Sequence, residues 1–97
     1  MQFICYIIYS YSLNRYYVGH TSDFRERIKM HNDGEFGGKA FTSHAKDWEE
    51  FLVIACSTVE LAVYLELRIK RMKSRKYIEN LKKYPDLVDK ITKEFDK

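Results

Sequence analysis

Cysteine, proline, glycine and tryptophan are all scarce in this 97-residue chain, at two, one, four and one. Cys5 and Cys56 share no CxxC spacing, and without a third thiol a cysteine-built zinc site is excluded. Two lone thiols in apolar runs read as reduced core residues, which fits a cytoplasmic protein better than a secreted disulfide framework. No long hydrophobic run is present. The apolar opening up to Tyr9 lacks a basic start, is too short to cross a bilayer and carries no small-residue cleavage site. It is expected to be neither a signal nor a membrane helix. No repeat or low-complexity stretch interrupts the chain.

Apolar residues make up 45% and aromatics 15%, with eight tyrosines, so the chain is globular: one domain over residues 1–97 with a modest core. The net charge of +3 hides a segregated pattern. Residues 68–83 hold eight Lys and Arg against the single acid Glu79, whereas residues 48–67 hold four Glu and no base. That asymmetry is either a solvated helical face or an edge that meets a polyanion.

Phe3–Tyr9 is β-branched and aromatic throughout and predicts a strand buried on both faces. Ser10–Leu13 is polar enough to turn, and Arg15–Gly19 predicts a second strand. An even-numbered hairpin loop with Tyr9 opposite Asn14 would pair Tyr6 with Tyr17 and stand both rings on one face. Thr21 or Ser22 is expected to cap a helix that Asn32-Asp33-Gly34 ends. On that helix Phe24, Arg27, Ile28 and His31 share a face, so a cation and an imidazole occupy a stripe that should be core. A cation there is costly unless it meets an anion. It is either amphipathic packing at the stripe edge or a reach into a phosphate or carboxylate site. Glu35–Ala45, with Lys39, Thr42 and His44, is a polar, basic-leaning loop of the type that covers ligands. Phe51–Cys56 predicts the third strand.

A helix over Thr58–Met72 follows, opened by Ser57-Thr58-Val59-Glu60 as a capping box and burying Ala62, Leu65, Ile69 and Met72. At about 100° per residue, Glu66 falls on the edge of that stripe beside Lys73. A half-desolvated carboxylate without a partner on its own helix either snorkels or bridges to an arginine, or it is a ligand for a hard divalent cation. A short helix to about Lys83 and a last one from Pro85, with Leu87, Val88, Ile91 and Phe95 as its docking stripe, complete the chain. Strands and helices are segregated, which predicts an α+β fold.

Taken together, Ile4-Cys5-Tyr6, Tyr17-Val18-Gly19 eleven positions beyond Tyr6, Arg27 eight residues after Gly19 and the Glu66-x-x-Ile69-Lys70 helix resemble the GIY-YIG nuclease domain over about residues 3–78. His31, the following Asn-Asp-Gly, Lys39 and Thr42 are similar to its small stand-alone members. These resemble the nicking domain of the excision-repair nuclease and the branched-DNA nuclease subunit. The chain departs from the family pattern in three places: Ile4-Cys5 replaces Gly-Ile, His20 stands where many members carry Lys, and Ile78 stands where an Asn is common. The resemblance implies a three-stranded antiparallel sheet flanked by helices and a divalent-metal-dependent endonuclease acting on DNA.

Phosphodiester hydrolysis needs an activated water and relief of the charge on phosphorus and leaving oxygen. On the resemblance, Glu66 would hold Mg²⁺ or Mn²⁺ and Arg27 would grip the non-bridging oxygens. Tyr6 would take the water's proton, with Tyr17 orienting it or sharing the role. A free phenol is ionised about one part in a thousand at neutral pH, a handicap of roughly 4 kcal/mol, so cationic neighbours are required. His20 and His31 are candidates, and His31 is placed either to relay the proton or to bind phosphate. Lys39, Thr42, Lys70, Lys73, Arg75 and Lys76 are assigned to phosphate contacts that position without reading sequence. The alternative function is a nucleic-acid-binding module that has lost turnover, and RNA as substrate is a third reading. So small a surface implies low intrinsic specificity, a homodimer, or a protein partner that targets the cut; no membrane partner is expected.

Overall fold

The first strand, β1 (Phe3–Ser10), is buried along most of its length, as its unbroken apolar run requires. In this computed structural model, which describes residues 2–34 and 45–96, β1 lies between β2 (Arg15–Thr21) and β3 (Trp48–Cys56). Both neighbours run antiparallel to it. This is the expected α+β architecture, with helices on both faces of the sheet.

Strand alternation divides the core in two. Cys5 and Ile7, with Val18, Ile54 and Cys56, face one side. There they meet Leu61, Ala62, Leu65 and Ile69 of α2 (Val59–Met72), Leu81 of α3 (Arg75–Lys83) and Ile91 of α4 (Pro85–Phe95). Ile4, Tyr6 and Ile8 face the other side, with Trp48 and Tyr17, and meet Phe24 and Ile28 of α1 (Phe24–Asp33). Each fully buried Leu or Ile contributes roughly 1.5–3 kcal/mol, so the α2 side carries most of the stability. Cys5 and Cys56 are both buried free thiols.

The hairpin register differs from the expected one. Tyr6 pairs with Gly19, Ile8 with Tyr17, and Ser10 with Arg15. Ser10 stays in the strand because its buried hydroxyl donates to Asp47 at 2.6 Å, and the same carboxylate accepts from the Ser12 amide at 2.8 Å. Asn14 closes the turn at φ 53°. Because the slip is two residues, every side chain keeps its face, and Tyr6 and Tyr17 still share one.

Three helix details also differ. Asp23, not Thr21 or Ser22, caps α1 by accepting from the Glu26 amide at 3.2 Å, since Thr21 is still in β2. Thr58 caps α2 through the Leu61 amide, so Ser57 and Glu60 form no box. Leu61 joins the buried stripe, whereas Met72 at the helix end is 43% exposed. The α2 helix stops at Lys73, whose backbone is left-handed at φ 49°. Pro85 does open α4, and α4 docks through Arg68–Glu94 and the Tyr64–Phe95 ring contact.

Candidate active site

The half of the site on the α1 side is built around Tyr6. Its ring lies over Gly19, where a Cβ would stand 2.6 Å from the phenol oxygen, so only glycine leaves it room. The phenol oxygen is 2.8 Å from Nε2 of His31, in a buried contact. His31 arrives there because α1 presents Phe24, Arg27, Ile28 and His31 on one face, as the spacing predicts. Tyr17 completes the group, its ring centre 6.5 Å from Tyr6 and 5.1 Å from His31. Asn32 holds the end of α1 in place by bonding the Trp48 backbone on both sides, accepting from its amide at 2.8 Å and donating to its carbonyl at 3.1 Å. From the sequence Asn32 reads only as part of a helix stop, because its partner lies 16 residues away.

Burial pushes the Tyr6 phenol above its ordinary pKa, and the neighbouring Tyr17 adds to the rise, while the Arg27 charge pulls it back. Burial, then Arg27, lowers His31 to about 4. Near neutral pH both partners of the contact are therefore uncharged. Arg27 alone does not bring the Tyr6 phenol below its ordinary range, because desolvation outweighs it.

The other half lies on the α2 side. Glu66 is half-buried, with His20 Nδ1 at 2.5 Å on one carboxylate oxygen and Lys70 Nζ at 2.6 Å on the other. Burial works to raise its pKa, but the hydrogen bonds and charges of Lys70 and His20 win, and the carboxyl lies below its usual range. One expectation is corrected here. Glu66 has a partner on its own helix, four residues on, a spacing the sequence already displayed. Lys70, assigned to phosphate, is the side chain that makes this contact.

The acidic group and the phenols thus approach from opposite faces of the sheet. Lys70 links them round the edge strand β2, with Nζ 2.6 Å from Glu66 and 5.4 Å from the Tyr17 ring centre. His20 alternates with Tyr17 and Gly19 along the same strand, which puts it on the α2 side.

Of the other assigned contacts, Lys73 ends α2 and is exposed, and Lys76 is exposed on α3. Arg75 is engaged, donating from both terminal nitrogens to Asn14, at 2.8 Å to the carbonyl and 2.9 Å to the side-chain oxygen. Lys39, Thr42 and His44 lie outside the described residues.

The sequence profile described as the GIY-YIG catalytic domain matches residues 2–81. The chain belongs to the GIY-YIG family. It is 33% identical over 69 residues to the UPF0213 protein YazA of Bacillus subtilis (strain 168), a match covering 68% of each chain. No solved structure matches it. The GIY-YIG domain implies nuclease activity in the family, DNA as the substrate and general use of divalent metals.

Among the described residues of this GIY-YIG domain, no three His, Cys, Asp or Glu side chains cluster. A single ionised carboxylate at a partly open edge nevertheless suits a hard cation that keeps most of its waters. Lys70 already holds a positive charge against that carboxylate, and its side chain is 42% exposed on a flexible stem, free to give way. The residues present fit a hard divalent ion. No described helix is long and apolar enough to cross a membrane.

Proposed function

We propose that this chain is a divalent-metal-dependent DNA endonuclease that hydrolyses phosphodiester bonds, directed by DNA structure or by a targeting partner. The observation that carries the reading is Lys70, whose ammonium contacts Glu66 and overlies Tyr17, joining the acidic and phenolic halves at one strand edge. Glu66 would hold Mg²⁺ or Mn²⁺, with His20 steadying the carboxylate. The ion when bound would neutralise charge on the phosphate and the leaving oxygen.

Arg27, whose charge reaches both Tyr6 and His31, would donate hydrogen bonds to the non-bridging oxygens beside them. Tyr6 serves as a relay and not as a phenolate. The attacking water passes its proton to the Tyr6 oxygen while the Tyr6 proton moves to Nε2 of His31, across the 2.8 Å contact. Protonating an imidazole of pKa about 4 near neutral pH costs about 4 kcal/mol. Tyr17, half-buried beside Lys70, orients the water. The two buried free thiols support a reducing compartment, and we place the protein in the cytoplasm.

The test is incubation of the wild type and Glu66→Gln with branched, nicked and linear DNAs in Mg²⁺ or Mn²⁺. The wild type is expected to cut at least one of them only with metal, and the variant to bind without cutting. Cleavage that survives Glu66→Gln overturns the metal assignment. An absence of cleavage across the panel favours the binding module.

A further inference from the structure

Beside the site, β2 and the α2–α3 junction enclose a groove of about 290 Å³. Ile69 and Ile78 contribute an apolar floor, and Arg15, Lys70 and Lys73 supply cations around it. Duplex phosphates need only a charged surface, and an apolar floor would be wasted on them. A concavity that combines the two suits a planar heterocycle carrying a phosphate. Its volume stands at the small end of ligand sites and takes one nucleotide, not a base pair.

Lys73 points the same way. It occupies the left-handed position that ends α2, where glycine fits without strain, yet the chain places an ammonium there, at the groove. Tyr17 and Lys70 belong both to the groove and to the candidate active site, so whatever fills the groove adjoins the scissile phosphate. We propose that this groove receives an unpaired nucleotide next to the bond to be cut. The inference rests on the nuclease reading and specifies its substrate: DNA with a base out of the helix at the cleavage point. The same chemistry could come from a free mononucleotide.

The 97-residue chain, without metal so that nothing is cut, is titrated by fluorescence anisotropy into two labelled duplexes. One is fully paired, and the other carries a single unpaired nucleotide at a nick. The unpaired form is expected to bind about tenfold tighter, the size of burying about 55 Å² of base against the apolar floor. Competition by deoxyadenosine monophosphate identifies the free-nucleotide source if it abolishes binding at concentrations where inorganic phosphate does not. Lys73→Gly is expected to melt no lower than the wild type and to lose most of the preference, and Ile78→Trp, which fills the floor, to lose it too. Equal affinity for the two duplexes with no competition by the mononucleotide overturns the proposal. So does a preference retained by both variants. Because binding is read without metal, a preference with no cleavage in the DNA panel sinks only the nuclease reading. Cleavage without a preference sinks only the groove.

Discussion

Gly19 stands directly opposite Tyr6 across the hairpin, and the phenol occupies the space that any other side chain would fill. Gly19→Ala would set a methyl group 2.6 Å from the phenol oxygen and 2.7 Å from the ring carbon that bears it. The ring is rigid and almost wholly buried, so it must move, at a cost of about 1–3 kcal/mol. That shift would break the contact with His31. Cleavage by Gly19→Ala is expected to fall at least about a hundredfold, since small misplacements at a reacting centre are that costly. Comparable loss of stability in Ile4→Val, which leaves the phenol in place, should reduce cleavage far less. Parallel melts and rate measurements on the two variants check this.

His31 makes stability depend on pH. Unfolded, it titrates near 6.5; folded, burial and Arg27 hold it to about 4. Between those values the unfolded chain takes up a proton that the folded chain refuses, so stability falls as pH drops through this window. The loss attributable to His31 between about pH 7 and about pH 5 is about 2 kcal/mol. Glu66, whose carboxyl lies below its usual range, adds a loss only at lower pH, as the solution approaches its folded pKa. Urea unfolding at the two pH values should show the difference, and His31→Gln should flatten it. An unchanged slope in the variant would show that another group is responsible.

Lys70 competes with any cation for Glu66. Replacing it by methionine keeps the aliphatic stem and removes the charge. Mn²⁺ binding, followed by calorimetry, is then expected to tighten up to about fivefold, the usual worth of a partly exposed ion pair. Cleavage should nevertheless weaken, because the ammonium beside Tyr17 is lost. Looser metal binding in Lys70→Met would mean that Lys70 holds Glu66 in place and does not compete for it.

Much of this arrangement was legible in the sequence because it rests on periodicity. The 3.6-residue spacing of Phe24, Arg27, Ile28 and His31 carries the imidazole to Tyr6 whatever the helix cap, and strand parity keeps Tyr6 and Tyr17 together despite a two-residue slip. What periodicity does not encode is contact between distant segments. Asp47 fixes the hairpin from 35 residues away, through Ser12, and Asn32 ties α1 to β3. Neither pairing leaves a local signature. The placement of Glu66 on the opposite face from the phenols follows from α2 packing against the Cys5–Ile7 side of the sheet, which no spacing along the chain states. Lys70 links the two halves because β2 is an edge strand that its side chain can reach round.

Arg75 and Lys76 are adjacent in sequence and carry the same charge, but they should behave differently toward DNA. Lys76 is exposed, whereas both terminal nitrogens of Arg75 are spent on Asn14 and its carbon lies 5.4 Å from the Tyr16 ring centre. A phosphate could recruit Arg75 only by breaking that bidentate contact with the hairpin turn. Lys76→Ala is therefore expected to leave stability within about 0.5 kcal/mol of the wild type. It should reduce the slope of log affinity against log salt by about 0.9, the contribution of one phosphate contact. Arg75→Ala should do the reverse, destabilising by about 1 kcal/mol through the lost hydrogen bonds and leaving the slope nearly unchanged. Titrations at several salt concentrations, with urea melts of the same samples, separate the two. A full unit lost from the slope in Arg75→Ala would mean that DNA binding pulls the guanidinium off Asn14 and reorganises the turn.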